Sequence, residues 1–365
     1  MPVVIRFGRL GDIVLQTPLL HLLHQRFGQP CRLITAGTWA RPLLSGHPDV
    51  DSILQLRQRH APLCLSPERW RLVAELRRCR GPIYVSENSE RQLAKIRRMF
   101  ALAGIGRVQC LFLSDLAVPA DHWVDRLLQL GEMTPEGFSA ERRPPADAER
   151  RRAPRLFVDA ADRRERDTWL CQHGIDGHPI VLIQPGNKRA LKWGRLRNGD
   201  AKAWPLAHWA QLLRAIRGKR PDARVVLCGS RAETSLLRDI RVAAGVDGII
   251  IPTGDLPLRR LLALMETAHS MVSVDTGPAH MAAAVGCPLV VLYGSESPRV
   301  WGRRSPTGSP IVELGGPPEH DRVAALASDR VIAAWSDVST GALRRHEPRS
   351  ASVTGIRSSR RRVMS

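Results

Sequence analysis

Short apolar runs alternate with longer amphipathic stretches along most of the chain, and this alternation is typical of parallel β-α units. In the first half the apolar runs predict strands over residues 3–7, 31–35, 83–85 and 108–112. In the second half they predict strands over residues 180–184, 224–227, 248–251, 271–274 and 289–292. Helical spacing between them predicts helices over residues 13–27, 67–79, 90–103, 206–216, 232–243, 257–266 and 278–285. The predicted fold class is therefore α/β.

A stretch rich in proline and arginine separates the two sets of elements. Residues 141–155 contain three prolines and a block of arginines, which is typical of an exposed linker. The end of the chain consists largely of Arg, Ser, Val and Gly without amphipathic spacing, which predicts a disordered tail over residues 343–365. We predict two Rossmann-like, doubly wound domains facing each other across a cleft, over residues 1–155, including the linker, and 156–342.

The exit of the first predicted strand carries a glycine-aspartate turn. Gly8 and Gly11 let the backbone turn tightly at the carboxyl edge of the sheet, where ligands of doubly wound folds bind. Asp12 then stands at a helix start, where it either serves a ligand or only caps the helix by accepting backbone N–H bonds. The spacing is not the G-x-G-x-x-G fingerprint of dinucleotide sites, because the second glycine comes three residues after the first.

The strongest local signal follows the strand over residues 271–274. Asp275, Thr276 and Gly277 form the turn, and His280 lies in the first turn of the next helix. Free N–H groups at Thr276 and Gly277, together with the helix dipole, make a cradle suited to a diphosphate. The alternative for the carboxylate and the hydroxyl is helix capping alone.

Two more strand exits carry polar residues. Gly186 and Asn187 follow the strand over residues 180–184. Glu233 follows the strand over residues 224–227, where it either accepts bonds from ribose hydroxyls or acts only as a favourable first-turn carboxylate. The chain has five lysines, and three of them come soon after Gly186, which predicts a phosphate contact from one of Lys188, Lys192 and Lys202.

The composition, with 43% hydrophobic and 25% charged residues, is that of a globular protein, and 365 residues are enough for two domains. The net charge of +20 would attract nucleic acid, anionic lipid or a phosphorylated substrate. Aromatic residues make up 5% of the chain and offer no stacking platform, so we expect no nucleic-acid partner. Half of the net charge lies in residues 142–155 and 343–365, which supports the hypothesis of peripheral contact with an anionic inner membrane.

The cysteines and the N-terminus bear on the compartment. The seven cysteines are scattered, odd in number and without a C-x-x-C pair, which argues against a disulfide framework or a zinc site. Residues 1–8 lack the basic and apolar regions of a signal peptide, and no run approaches the ~20 apolar residues of a membrane-spanning helix. We therefore expect a cytoplasmic protein without a cofactor.

Four ordered segments together resemble glycosyltransferase family nine, the ADP-heptose:lipopolysaccharide heptosyltransferases. They are R-x-G-x-x-G-D-x-x-x-x-T-P at residues 6–18, K-x-W-P-x-x-x-W at 202–209, G-x-x-x-E at 229–233 and D-T-G-P-x-H-x-A-A-A-x-G at 275–286. The resemblance implies a GT-B fold, an ADP-heptose donor held mostly by the C-terminal domain, and a lipid-linked inner-core acceptor held mostly by the N-terminal domain.

The same resemblance implies roles for single residues. Asp12 would be the general base of an inverting transfer, and Lys202 with the amides of Thr276 and Gly277 would hold the departing diphosphate without a metal ion. The other donor-binding residues would be Gly11, Gly186, Asn187, Glu233, Asp275 and His280. The acceptor phosphates would meet Arg91, Arg97 and Arg126. Relative to the family pattern, residues 189–201 look like an insertion before the lysine. Lys188 or Lys192 could therefore contact the phosphate in place of Lys202.

Three alternatives stay open at this point. A related nucleotide-sugar transferase would keep the fold and act on another surface glycan or on a protein. A basic nucleic-acid-binding protein would use the charge alone. A degenerate transferase would bind the donor without turnover, which the presence of Asp12 and Asp275 disfavours.

Overall fold

The computed structural model describes residues 1–57, 66–139, 152–186, 191–192, 195–196, 200–252 and 254–346. The elements of the N-terminal domain are, in chain order, β1 (Val3–Arg6), α1 (Leu10–Val14), α2 (Thr17–Phe27), β2 (Cys31–Ala36), α3 (Ala40–Leu44), β3 (Val50–Leu56), α4 (Pro67–Arg77), β4 (Ile83–Val85), α5 (Glu90–Ala103), β5 (Cys110–Phe112) and α6 (Trp123–Glu132). The strands form one parallel sheet in the order β3-β2-β1-β4-β5.

The elements of the C-terminal domain are, in chain order, α7 (Ala160–Gln172), β6 (Ile180–Gln184), β7 (Leu191–Lys192), β8 (Arg195–Leu196), α8 (Leu206–Lys219), β9 (Arg224–Leu227), α9 (Thr234–Ala244), β10 (Ile249–Ile250), α10 (Leu258–Thr267), β11 (Ser270–Val274), α11 (Gly277–Ala284), β12 (Leu289–Tyr293), α12 (Pro298–Trp301), β13 (Ile311–Gly315) and α13 (Ser328–His346). Six strands form a second parallel sheet in the order β10-β9-β6-β11-β12-β13. β7 and β8 form a separate antiparallel pair.

Both sheets are apolar on both faces, as a parallel sheet covered by helices requires. In β1, Val4 is buried with side chains of α2 and α6, whereas Val3 and Ile5 are buried on the opposite face with side chains of α4 and α5. In β6, Leu182 and Ile183 divide in the same way between the two faces. The prediction of doubly wound α/β domains is therefore confirmed.

Several predicted bounds differ from the structure; for example, the strand expected over residues 108–112 begins only at Cys110, because residues 107–109 form a 3-10 helix. Two further differences also have a local reason. The helix expected over residues 13–27 is divided into α1 and α2, because Pro18 has no N–H to give to the Val14 carbonyl and the Thr17 hydroxyl bonds that carbonyl instead, at 2.9 Å. The prediction of a tail from residue 343 is wrong at its start, because α13 continues to His346. Residues 140–151, most of the predicted linker, and 347–365 lie outside the described residues.

One apolar core runs through the domain interface. A single cluster of buried side chains joins α2 and α6 of the first domain to α10 and α11 of the second. The closest approach is between α1 and α11: a Cβ on Gly11 would stand 2.7 Å from His280 Cδ2, and one on Gly277 would stand 2.7 Å from Leu10 Cδ2. The carboxyl edges of the two sheets therefore face each other. Among the described helices, none combines the length and the apolar character that crossing a membrane requires.

Candidate functional site

Three neighbouring strands bring their carboxyl ends to one edge of the second sheet. β9, β6 and β11 are adjacent in the sheet, and they are followed by Glu233, Gly186 and Asp275 respectively. The carboxyl ends of parallel strands in a doubly wound sheet form the ligand-binding edge. Three of the strand exits singled out in the sequence therefore lie side by side.

Asp275 is the centre of a buried charge cluster. Lys202 Nζ donates to Asp275 Oδ2 at 2.5 Å and to the Asp275 carbonyl at 2.9 Å, while Arg303 Nη2 donates to Asp275 Oδ1 at 2.6 Å. Burial alone would raise the pKa of the Asp275 carboxyl, but the charges of Arg303 and Lys202 outweigh burial and hold that pKa well below its usual range. The cluster therefore carries one negative and two positive charges, so an anion can be bound beside it.

Lys202 is the lysine that the structure brings to this edge. Its side chain is a quarter exposed, so the ammonium group pairs with Asp275 and still faces solvent. Lys188 and the side chain of Lys192, the two alternatives in the sequence, lie outside the described residues.

The N-terminus of α11 lies directly beside this cluster. Thr276 is the extended residue before the helix, Gly277 is its first residue, and Pro278 follows where a missing N–H costs nothing. The first N–H groups of a helix have no partner within it, and the helix dipole adds positive potential there. The helix N-terminus for which the sequence predicts an anion cradle therefore lies next to Lys202, and anion binding there stays a prediction.

His280 lies one turn into α11 and is 8% exposed. Burial, together with the positive charge of Arg303, lowers the pKa of the imidazole well below its usual value. The ring is consequently neutral at physiological pH. Its Cδ2 edge faces Gly11 of the other domain.

Glu233 has one satisfied and one unsatisfied carboxylate oxygen. Oε2 accepts from the Ser230 N–H at 2.7 Å and from the Ser230 hydroxyl at 2.6 Å. Oε1 is buried without a hydrogen-bond partner, and it points at Gly186, where a Cβ would collide with it. A buried acceptor oxygen without a donor needs one from a ligand or from water. Asn187, the next predicted ligand, lies outside the described residues.

Asp12 lies on the N-terminal domain and directly follows Gly11 in the chain. Its Oδ2 accepts the Arg9 N–H at 2.7 Å, and its Oδ1 accepts from Arg6 Nη2 at 2.6 Å. The capping alternative is therefore part of its role, and the ion pair with Arg6 goes beyond capping. The side chain keeps 21% exposure, so the carboxylate remains accessible.

Arg6 is held from several sides and fixes the carboxylate of Asp12. Its Nη1 donates to the Ser86 carbonyl at 2.7 Å and to Asn88 Oδ1 at 3.1 Å, both just beyond β4. Its guanidinium also lies over the Trp123 ring, 4.9 Å from the centroid. Arg6 was visible in the sequence only as the first residue of the R-x-G-x-x-G-D segment.

The arginines proposed for an acceptor have different surroundings. Arg91 and Arg97 are exposed on α5, and Arg97 lies 5.6 Å from the centroid of the Phe112 ring. Arg126 donates to the Ala120 carbonyl at 2.5 Å and therefore shapes the loop before α6. An acceptor contact by these residues stays a prediction.

Arg303 is the functional candidate that sequence reasoning missed. Its side chain is fully buried, with Asp275 and Tyr293 as partners. Burial opposes its charge, yet Tyr293 and Asp275 raise its pKa above the ordinary value. No local pattern could have indicated it, because Asp275 is 28 residues away in the chain. Among the described residues, no three His, Cys, Asp or Glu side chains are grouped as a metal site.

The chain is similar to known proteins over most of its length. Residues 94–322 match the family described as "Glycosyltransferase family 9 (heptosyltransferase)". The chain is 26% identical over 306 residues to lipopolysaccharide heptosyltransferase 2 of Escherichia coli, with 79% of this chain and 81% of that protein aligned. It is 27% identical over 304 residues to lipooligosaccharide heptosyltransferase 2 of Haemophilus influenzae, with 80% and 82% aligned.

Solved structures share the fold. A family 9 glycosyl transferase from Veillonella parvula superposes with a TM-score of 0.71 at 16% identity, covering 93% of this chain and 97% of that one. ADP-heptose LPS heptosyltransferase II of E. coli superposes with a TM-score of 0.67 at 22% identity, covering 93% and 98%. An E. coli heptosyltransferase solved with ADP-2-deoxy-2-fluoro heptose superposes with a TM-score of 0.63 at 17% identity, covering 92% and 99%.

The GT-B fold implied by the four sequence segments is thereby confirmed, and so is the family resemblance. The family description spans well over half of the chain and includes the cluster around Asp275. This chain belongs to glycosyltransferase family 9, the heptosyltransferase family, and is a glycosyltransferase.

Proposed function

We propose that the protein transfers heptose from ADP-heptose to a lipid-linked acceptor of the lipopolysaccharide inner core, inverting the anomeric carbon and using no metal ion. The observation that carries this proposal is the Lys202–Asp275 pair at the N-terminus of α11, facing Gly11 and Asp12 on the other domain. The names of the relatives support the reaction class, and the solved neighbour with an ADP-heptose analogue supports the donor.

The donor is held by its diphosphate and its ribose. Lys202 and the N–H groups at Thr276 and Gly277 bind the diphosphate, where negative charge grows as the sugar departs. Fixed positive groups at that point lower the barrier without a metal. Glu233 Oε1 accepts from a ribose hydroxyl, which gives this buried oxygen the donor it lacks in the structure. Gly186 leaves room for that contact.

Asp12 acts as the general base on the acceptor. Its carboxylate takes the proton of the attacking hydroxyl, a bond forms between that oxygen and the anomeric carbon, and the bond from this carbon to the diphosphate breaks to release ADP. Arg6 and the Arg9 N–H hold the carboxylate in one orientation, so that no rotation is needed before proton transfer. His280, neutral and buried beside Gly11, and Asp275 shape the pocket between the two domains.

The acceptor would be held by arginines of the N-terminal domain and by the two basic segments. Core phosphates would meet Arg91, Arg97 and Arg126, and the basic residues 142–155 and 343–365 would hold the protein to the anionic inner leaflet from the cytoplasmic side. Each basic residue near such a surface contributes about 1 kcal/mol.

A donor and acceptor panel tests the function. Purified protein is assayed with ADP-heptose, UDP-glucose and GDP-mannose against heptose-free inner-core lipopolysaccharide, with product analysis by mass spectrometry and of the new anomeric linkage by NMR. We expect transfer from ADP-heptose, with inversion and with an unchanged rate in EDTA. Transfer from another donor alone, retention of configuration, or loss of activity in EDTA restored by Mg²⁺ would each contradict the corresponding part.

A further inference from the structure

The residues around α12 lie between the two domains and contact both. On one side, Arg304 forms two parallel hydrogen bonds of 2.7 Å with the Asp125 carboxylate of the N-terminal domain. The His122 ring donates from Nε2 to the Gly302 carbonyl at 3.0 Å. Nδ1 of the same ring accepts the Val124 N–H at 3.2 Å, which leaves the hydrogen on Nε2, and burial lowers the pKa of His122. We name residues 299–304 the bridge segment.

An aromatic stack adds an apolar contact to these polar ones. Trp301 of the bridge segment stacks on Trp123 of α6, with ring centroids 4.9 Å apart and an angle of 27° between the planes. The guanidinium of Arg6, which holds Asp12, lies over the same Trp123 ring. The bridge segment therefore contacts Trp123, the residue on which Arg6, the partner of the proposed base Asp12, is packed.

Arg303, two residues after Trp301, points toward the donor edge of the C-terminal domain instead of toward the N-terminal domain. Arg303 lies between Gly302 and Arg304, and its side chain is fully buried against Asp275 at 2.6 Å. Its Nη1 also bonds the Tyr293 hydroxyl and the Trp301 carbonyl. Both chain neighbours of Arg303 are bonded to the N-terminal domain, Gly302 through its carbonyl and Arg304 through its side chain, so a shift of that domain would act on the backbone on either side of this guanidinium.

The far side of Arg303 is closed by a second carboxylate. Glu313 Oε1 accepts from the Tyr293 hydroxyl and from the Arg303 N–H, each at 2.7 Å. Asp275 thus lies between the fully buried guanidinium of Arg303 and the ammonium of Lys202, whose side chain is a quarter exposed. A carboxylate fixed by Arg303 in turn fixes where Lys202 Nζ stands. The position of the ammonium depends on contacts that Lys202 itself does not make.

We propose that Arg303 is a positioning residue: it orients Asp275, and through it Lys202, for the donor diphosphate, and the bridge segment makes this orientation depend on docking of the N-terminal domain. The proposal rests on the proposed function, since the diphosphate is that of the donor. It predicts that breaking an interdomain contact remote from the donor edge weakens binding of ADP. Coupling of two sites through a packed network is typically about 5- to 150-fold in affinity.

The test measures ADP affinity by calorimetry for full-length Asp125→Asn, which loses the charged partner of Arg304. We expect a loss of about fivefold or more in affinity, the lower end of the usual coupling range. The matched control is Glu266→Gln, which breaks a two-bond pair with Arg163 and a 3.6 Å ion pair with Arg166, both inside the C-terminal domain. The carboxylates of Asp125 and Glu266 have the same 26% exposure, so both changes should lower the melting temperature similarly.

A double-mutant cycle separates the bridge from a general loss of stability. Arg304→Gln should weaken ADP binding as Asp125→Asn does, and the double variant should be no weaker than either single one, because the pair is lost once. Equal ADP affinity in wild type, Asp125→Asn and Arg304→Gln would overturn the proposal while leaving the proposed donor intact. Absence of ADP binding by the wild type would overturn the proposed donor and this inference with it.

Discussion

Asp12 uses its two carboxylate oxygens for two different partners at the start of α1. One oxygen accepts a backbone N–H and the other an arginine, so the carboxylate has a single orientation at the domain interface. Glu233 shows the reverse arrangement, with both bonds on one oxygen and none on the other. The arrangement of Asp12 suits a base with a fixed orientation, and that of Glu233 suits a carboxylate with one oxygen available to accept from a ligand hydroxyl.

Replacing Asp12 by Asn keeps the shape of the side chain and removes its ability to take a proton. We expect kcat to fall by about 10²–10⁴-fold while the affinity for ADP changes little, because the donor edge is on the other domain. The measurement combines steady-state transfer rates with calorimetry. Asp239→Asn, an exposed carboxylate on α9, is the control and should leave both values unchanged. Equal turnover in Asp12→Asn and wild type would refute the assignment of the base.

Replacing Gly186 by Ala tests the proposed contact between Glu233 Oε1 and the ribose. The new Cβ would collide with Glu233 Oε1 and push the carboxylate off its position. ADP affinity should fall by about tenfold, the equivalent of one hydrogen bond to a charged group of about 1.4 kcal/mol. Gly218→Ala on α8 is the matched control, because a Cβ there meets nothing within 4 Å. An affinity equal to that of the control would argue against a ribose contact by Glu233.

Burial of His280 predicts a pH-dependent stability. The pKa of the folded ring is well below that of the unfolded chain, near 6.5, so below this pH the unfolded state binds a proton that the folded state does not. Folding stability should therefore fall by up to about 1.4 kcal/mol for each pH unit below about 6.5 on account of this group. The contribution is present above that pH and lost on acidification. Melting temperatures from pH 7.5 to 5 should fall less steeply in His280→Gln; parallel curves would contradict a neutral buried ring.

At the scale of elements, the contact between α1 and α11 brings the carboxyl end of β1 close to that of β11. Gly11 and Gly277 stand where the helices meet, and each is followed closely by a residue assigned to the chemistry. Glycine is required here for close approach and not for an unusual backbone conformation. The strand exits themselves were predictable, since β6, β9 and β11 have apolar runs ended by Pro or Gly turns, whereas β13 was missed because Ile311–Gly315 mixes apolar residues with Glu313.

Gly277→Ala should separate α1 from α11. A Cβ at Gly277 would stand within 2.8 Å of three Leu10 side-chain atoms, so the leucine or the whole helix must shift. We expect kcat to fall more than the affinity for ADP, because the base moves relative to the donor while most donor contacts remain. Leu10→Ala combined with Gly277→Ala removes the collisions with Leu10 Cγ and Cδ2 and leaves the one with Cβ at 2.8 Å, so it should restore part of the rate. Failure of this rescue would show that Gly277 acts through something other than the helix contact.

At the scale of the molecule, the charge divides between a modestly basic enzyme and two basic segments. Residues 142–155 and 343–365 carry ten of the twenty net positive charges. Removal of residues 347–365 leaves α13 complete and takes away part of this charge. We expect weaker sedimentation with vesicles containing phosphatidylglycerol and an unchanged rate on a detergent-dispersed acceptor. Equal vesicle binding by full-length and shortened protein would refute a role of the tail at the membrane.

The local pattern of the chain was enough to predict the parallel β-α architecture and the polar residues at the strand exits, because apolar periodicity and glycine-rich turns are local properties. Asp12, Asp275 and Glu233 could be named in this way. The pairing of Lys202 with Asp275, and the contacts by which Arg303 holds Asp275 and Arg6 holds Asp12, are visible only in the folded chain. Such pairs join residues of different elements, and their buried charges are stable only where the fold supplies every partner at once, which no local pattern records.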